Sequence, residues 1–500
     1  MSKYINSKEA VLSPLLLWQE TPTQVAVQET YVVKEYPQSS IFNEGPINFS
    51  LSPQPNGMLT SVDIVTKFKL TKAGDTSTTS RYINTGIINN FASSLWELVE
   101  VRLDDRVDIM QSMRNAYAYQ TFFNNSLNTE SNHADFLFSE EIFMMDEGFS
   151  KEDAEDTKLF TLATSTIARK LNEEIFELEN GDTELDDYDY AKKLKALKER
   201  LENSSDYYTT TNTKNPAAGK RAYRVNNLKS TIVNTKLQCP LLTTSKCLPT
   251  NMKIRISLSK NTDDFLLHTD STITNVLIED VHLDVTYFRP IDKILRHIEE
   301  HLMKEPIPYF ITKPEISIKP ITHSSRIIRI TNLFQDKMPK QAVFCLQKSA
   351  DFNGKPNTSP FIFIPFSKFQ IFVNGKPYFT DPLEADSYEV AKVESSDNTR
   401  WQNLGDFYSQ LYKTLGKDMQ GDCLINSSNF HLNFMAAVSF TADRSTTSAG
   451  YLNLQQSNSA SLEIDMGYDD DIPEDMIMVI YALFDRQIKI DSNRAVTIID

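Results

Sequence analysis

Three groups of residues have the types and spacing that chemistry needs. HIEEH, His297 to His301, fits the H-x-x-E-H pattern, in which two histidines one helical turn apart hold zinc beside a glutamate base, here Glu300. His268-Thr269-Asp270 offers two of the three ligands of a facial triad for non-haem iron. Between residues 94 and 123 lies a crowd of carboxylates, Glu97, Glu100, Asp104, Asp105 and Asp108, the raw material of a metal or acid/base site. No G-x-S-x-G elbow, G-x-G-x-x-G turn or G-x-x-x-x-G-K-[ST] loop occurs, so neither a serine nucleophile nor a phosphate cradle of the usual kinds is marked.

The elements that must position these groups point elsewhere. PIDKILRHIEEHLMKEPIP predicts a helix that buries Leu295, Ile298 and Leu302 and ends at Pro306 and Pro308, which leaves His297 and His301 along an exposed flank without a third ligand. His268 and Asp270 follow DDFLL as polar turn residues, and no further histidine completes the triad. Glu97 and Glu100 fall in an alternating segment, one to each face, a poor way to converge on one ion; Asp104-Asp105 reads as a turn whose carboxylates face water. No catalytic residue, metal ligand or cofactor site is therefore assigned, and the chain is not expected to be an enzyme.

Period two dominates the chain. In TSVDIVTKFKL, Val62, Ile64, Phe68 and Leu70 alternate with polar residues; NMKIRISL and VHLDVTYF repeat the pattern, and EISIK, SRIIRI, PFIFIPF, HLNFMAAVSF, YLNLQ and SLEIDM read as further strands between turn-forming clusters. The expectation is a mainly β protein with antiparallel sheets. Five hundred residues suggest at least two domains. With 51 basic and 67 acidic residues the net charge is −16, which disfavours direct gripping of a nucleic-acid backbone. The longest apolar run, Met476 to Phe484, is too short to span a bilayer, and the N-terminus lacks the apolar core of a secretory signal. Cys239, Cys247, Cys345 and Cys423 have no CxxC spacing and read as reduced core thiols of an intracellular protein.

Helical spacing appears in DIMQSMRNAYAYQTFFNNSL and YAKKLKALKERL. The second lies in an acidic stretch from about 150 to 224, read as a partly helical insertion, with GKRAYR (Gly219 to Arg224) as a solvated loop at its end. The helix around HIEEH makes a seam between two β halves. Across that seam ELVEVRLDDRVD overlays KFQIFVNGKPYF, matching Leu103 to Val373, Asp104-Asp105 to Asn374-Gly375 and Arg106 to Lys376, a candidate internal repeat.

TPTQVAVQETYVVKEYPQSS, INNFASSLWELVEVRLDDRVDIMQSMRNAYAYQTFFNNSL, VHLDVTYFRP and PEDMIMVIYALFDRQIKIDSNRAVTIID resemble segments of the hexon-like double jelly-roll major capsid proteins of polinton-related DNA viruses, the adintovirus and adomavirus type. The stretch 150–224 departs from that pattern. The resemblance implies two tandem jelly-roll sandwiches: an extended N-terminal arm (1–35), able to pair with a neighbour by strand addition, a first jelly roll (36–305) carrying the insertion, and a second (306–500). It further implies a homotrimeric pseudo-hexagonal capsomer in an icosahedral virion shell, with penton and minor capsid proteins as partners, no sequence-specific nucleic-acid binding, and synthesis in the host cytoplasm with assembly there or in the nucleus. Two other readings compete: a jelly-roll metalloenzyme using His297, Glu300 and His301 or His268 and Asp270, and a receptor- or glycan-binding β protein whose binding element is the acidic insertion.

Overall fold

The computed structural model describes residues 24–146 and 216–499, apart from breaks at 42–44, 73–84, 105, 111–112, 226–229, 270–273, 322–325, 335–336, 355–359, 386–403, 420, 442–457 and 466–474. The helix expected at YAKKLKALKERL and the strand expected at YLNLQ lie outside these residues. The first half contains β1 (Val27–Glu35), β2 (Ile47–Leu51), β3 (Met58–Lys72), β4 (Thr85–Ile87), β5 (Trp96–Leu103), β6 (Val107–Asp108), β7 (Thr231–Lys236), β8 (Ile254–Lys260), β9 (Leu267–Thr269) and β10 (Thr274–Pro290). The second contains β11 (Ile307–Ile321), β12 (Ile327–Ile330), β13 (Gln341–Lys348), β14 (Lys368–Val373), β15 (Lys376–Pro377), β16 (Leu383–Glu384), β17 (Ala436–Ser439), β18 (Ala460–Asp465), β19 (Met476–Ile490) and β20 (Val496–Ile499). The helix Asp292–Leu302 joins them.

The pairing order exposes a duplication. In the first half the sheets run β1-β10-β3-β7 and β2-β8-β5-β6; in the second they run β11-β19-β13-β17 and β12-β18-β14-β15, with β16 and β20 added at the margins. Each position of these four-strand paths has its counterpart in the other half, and apart from the short hairpin strands β6, β15, β16 and β20 and the separate β4-β9 pair, the chain alternates between the two sheets of each half, the connectivity of a jelly roll. The chain is a double jelly roll, mainly β, with antiparallel pairing in every named strand pair. Period-two sequence builds it: Val62, Ile64, Phe68 and Leu70 of β3 and Val281, Leu283, Val285 and Tyr287 of β10 are buried, while Asp63, Lys67, His282 and Asp284 turn to the other face.

Four expectations change. Residues 27–35, read as the inner part of an arm that pairs with a neighbour, pair instead with β10 of the same chain, where Tyr31 stacks on Tyr287 at 5.6 Å. PFIFIPF forms no strand; Pro360 and Pro365 interrupt the ladder, leaving isolated bridges Leu346–Ile364 and Phe363–Asn433 while Phe361, Phe363 and Phe366 sink into the core. GKRAYR is not a solvated loop but part of the helix Pro216–Val225, with Arg221 buried. In the repeat, Asn374 (φ 52) and Gly375 (φ 76) make the two-residue turn that needs positive φ at both positions, with Val373 opposite Lys376. The corresponding turn is one residue longer, with Leu103 opposite Val107, so Val107 and not Arg106 occupies the place of Lys376.

Candidate functional site

The residues marked as chemical do not converge. His297, Glu300 and His301 lie on the exposed side of Asp292–Leu302, the two rings 4.4 Å apart, and the side of that helix which packs ends in buried Leu302. His268 is held in β9, opposite Gly86, and Asp270 lies outside the described residues. Three of the five carboxylates are held in ion pairs: Glu97 meets Arg114 at 2.5 Å, while Arg102 bridges Glu100 at 3.3 Å and Asp108 at 2.8 Å; Asp105 lies outside the described residues. Asp104 takes the positive-φ position of the turn. Among the described residues no group of three or more His, Cys, Asp or Glu side chains is placed to hold a metal ion, and no helix is long and apolar enough to cross a membrane.

The structure concentrates its specific side-chain geometry at the junction of the two sandwiches. The helix Ala116–Asn128 follows β6 of the first half, yet its aromatic face lies on the second half. Phe122 stacks on Phe361 (4.6 Å between ring centroids, 8° between planes), and Phe123 stacks on Phe363 at 5.6 Å and on Tyr481 of β19 at 5.0 Å. Such pairs contribute packing beyond their area burial. Tyr119, fully buried, donates its hydroxyl to the Pro360 carbonyl at 2.7 Å and sits 3.0 Å from Oε1 of Gln347 in β13; burial holds its pKa well above that of a free phenol. Asn115 donates to the Phe352 carbonyl at 3.2 Å and accepts from Asn261 at 3.0 Å. A buried polar network satisfied on both sides of an interface sets its register, because any shift strands donors away from water. Both sandwiches therefore share one continuous hydrophobic core.

Two further ties complete the junction. Arg494, between β19 and β20 at φ 65, reaches back to the Thr250 carbonyl (2.8 Å) and to Glu299 of the linking helix (2.6 Å), while Thr250 donates to Glu299 at 3.1 Å. Arg221, 1% exposed, pairs with Asp146 at 2.6 Å and donates to the carbonyls of Met144 (2.7 Å) and Ile87 (3.3 Å). Asp146 is the last described residue before 147–215, which lie outside the described residues, and Arg221 belongs to the helix that follows them, so this pair ties together the two described flanks of the expected insertion. Nearby, Glu141 at the end of the helix Ala134–Glu141 is buried; burial pushes its pKa up to about 7, against the opposing effect of the bond donated by Asn125 at 3.0 Å. Neither Arg221 nor Tyr119 carries a sequence signal that separates it from an exposed Arg or a core aromatic.

No protein-family model matches the chain, and no curated protein matches it in sequence. Solved structures do. The Sputnik virophage structure aligns over 99% of this chain and 93% of its own at TM-score 0.54 and 11% identity. The Faustovirus major capsid protein aligns over 95% and 92% at TM-score 0.53 and 7% identity, and the PBCV-1 virus capsid over 97% and 99% at TM-score 0.50 and 10% identity. The fold is that of double jelly-roll viral capsid proteins. The likeness spans nearly the full length on both sides, so it concerns the tandem arrangement and not one sandwich alone.

Proposed function

We propose that this chain is a viral major capsid protein whose three copies form a pseudo-hexagonal capsomer that tiles an icosahedral shell. The observation that supports this reading best is the duplicated pair of jelly rolls welded through Ala116–Asn128 into one core, aligned end to end with capsid structures. Physics favours that use. Two rigidly joined sandwiches present six similar bodies in a trimer, close enough to sixfold to tile, while a threefold arrangement closes and does not grow as a filament. Folding each sandwich on itself hides most strand edges, which suits a protein that lives at high local concentration among copies of itself.

The same reading places the chain in the virion, with penton and minor capsid proteins as partners and with no catalytic role. A placement among polinton-related viruses rests on the resemblance of the SLWELVEVRLDDRVD hairpin region and the PEDMIMVIYALFDRQIKI strand. Light scattering combined with negative-stain electron microscopy of the purified chain tests the proposal. Trimers or shells are expected; a chain that remains monomeric at all concentrations overturns it.

A further inference from the structure

HIEEH lacks the third ligand of a zinc enzyme, yet two imidazoles one helical turn apart are enough to chelate. Residues four apart lie on one face of a helix, so both side chains reach the same point above its surface. His297 and His301 are exposed, with ring centroids 4.4 Å apart and planes 75° to each other. Exposed rings turn readily about their outer torsion, which barely moves the ring centre, so both can direct a nitrogen at one ion. A cation about 2.0–2.1 Å from each nitrogen lies roughly 3.2 Å from each ring centre; donors at a right angle then put the centres about 4.5 Å apart, and donors at a tetrahedral angle about 5.2 Å. The observed spacing fits the right angle.

The helix is held in place before any ion arrives. Its start is tied where Ile291 N donates to the Ala26 carbonyl at 3.1 Å and its end where Leu302 is buried, while Glu299 between them accepts from Arg494 at 2.6 Å and from Thr250 at 3.1 Å. Chelation therefore orders only two side chains, which keeps its entropic cost low. His301 also stands in the last turn of Asp292–Leu302, at the negative end of the helix dipole, where a cation is favoured. Glu300, three residues after His297, and Glu305, four after His301, bring negative charge within one turn, offset by Lys293 and Lys304 at like spacing.

We propose that His297 and His301 bind one divalent copper-type cation through two adjacent positions of a tetragonal site, with water in the remaining positions. Imidazole nitrogen suits copper, nickel and zinc alike; the right-angle spacing, together with the general order of affinities among divalent ions, favours copper over tetrahedral zinc. Two ligands leave the ion open to solvent and bound to the folded helix alone, since only there do the two rings share a face. Binding at this pair does not depend on the capsid reading.

Calorimetric titration of the full chain with Cu2+ and with Zn2+ at about pH 7.5, where free imidazole is mostly neutral, tests it. The comparison variants are His297→Ala, His301→Ala and the double variant Arg296→His/His297→Ala, which keeps two histidines in the helix but five residues apart and off a common face. All three positions are exposed, so each variant is expected to keep the wild-type melting temperature without the ion. The wild type is expected to bind one equivalent of Cu2+ at least tenfold more tightly than any variant does and at least tenfold more tightly than it binds Zn2+, with two ring nitrogens evident in the electron paramagnetic resonance spectrum. Equal Cu2+ affinity in the wild type and the double variant, a spectrum with one nitrogen, or Zn2+ bound as tightly as Cu2+ overturns the proposal. Should a variant melt lower, the nitrogen count of the wild type decides alone.

Discussion

Replacing Glu141 with Gln should remove a pH dependence built into the first sandwich. Glu141 is 7% exposed, bonded to Asn125 and Thr235, and its carboxyl is pushed from 4.5 up to about 7 by burial. A raised carboxyl pKa means that the folded protein disfavours the ionised form. Below about pH 4.5 the group is neutral in both the folded and unfolded chain and has no effect. Between about 4.5 and 7 the unfolded chain ionises while the folded one stays neutral, so stability falls as pH rises; above about 7 both are charged and the loss is complete. A shift of this size corresponds to roughly 3 kcal/mol, at about 1.4 kcal/mol per pKa unit. Glu141→Gln keeps the shape and the acceptor for Asn125 but cannot ionise. Denaturant unfolding of both proteins from pH 4 to 8 should show the variant gaining on the wild type by roughly 3 kcal/mol across that window, with the difference level above pH 7. A difference that stays flat through pH 4.5–7, or that runs in the opposite direction, refutes the reasoning.

Arg221→Met should cost about 3–5 kcal/mol, because it leaves Asp146 buried beside an apolar side chain and deprives two carbonyls of their donor; thermal unfolding measures this, and Asp146→Asn in the Arg221→Met background should restore part of the loss. Phe122→Ala opens a void between the stacked rings of the two halves and should cost about 3–5 kcal/mol, read as a lowered melting temperature together with faster proteolysis at the junction. Gly375→Val should destabilise the β14–β15 hairpin by about 1–2 kcal/mol through backbone strain at φ 76, although open space surrounds the position, whereas Gly45→Val, also in open space but without positive φ, should be near neutral by the same measurement.

Much of this was legible in the sequence, for reasons that can be traced to particular residues. The alternation in TSVDIVTKFKL and VHLDVTYF determined β3 and β10, because period two leaves only one way to bury four apolar side chains. Asn374-Gly375 determined its turn, since a two-residue connection needs positive φ at both positions. The helix with HIEEH was legible too, and so was the exposure of its histidines, although of Leu295, Ile298 and Leu302, all expected to be buried, only Leu302 is buried and the other two are half-buried. Alternation misled at PFIFIPF, where prolines spoiled the ladder and aromatic packing alone set the path. It misled again at residues 27–35, whose pattern suits pairing with any strand and does not say which chain supplies it.

Tertiary structure alone decided which groups are buried in pairs and which half each element serves. GKRAYR has the composition of a solvated loop; only the return of the chain beside Met144 and Asp146 takes Arg221 out of water, and a buried charge is stable only where partners from distant segments meet it. Ala116–Asn128 belongs in sequence to the first sandwich and in packing to both, because Phe122 and Phe123 find rings more than 200 residues away. Local patterns report which face of an element is apolar, whereas contacts that close over hundreds of residues depend on the assembled topology.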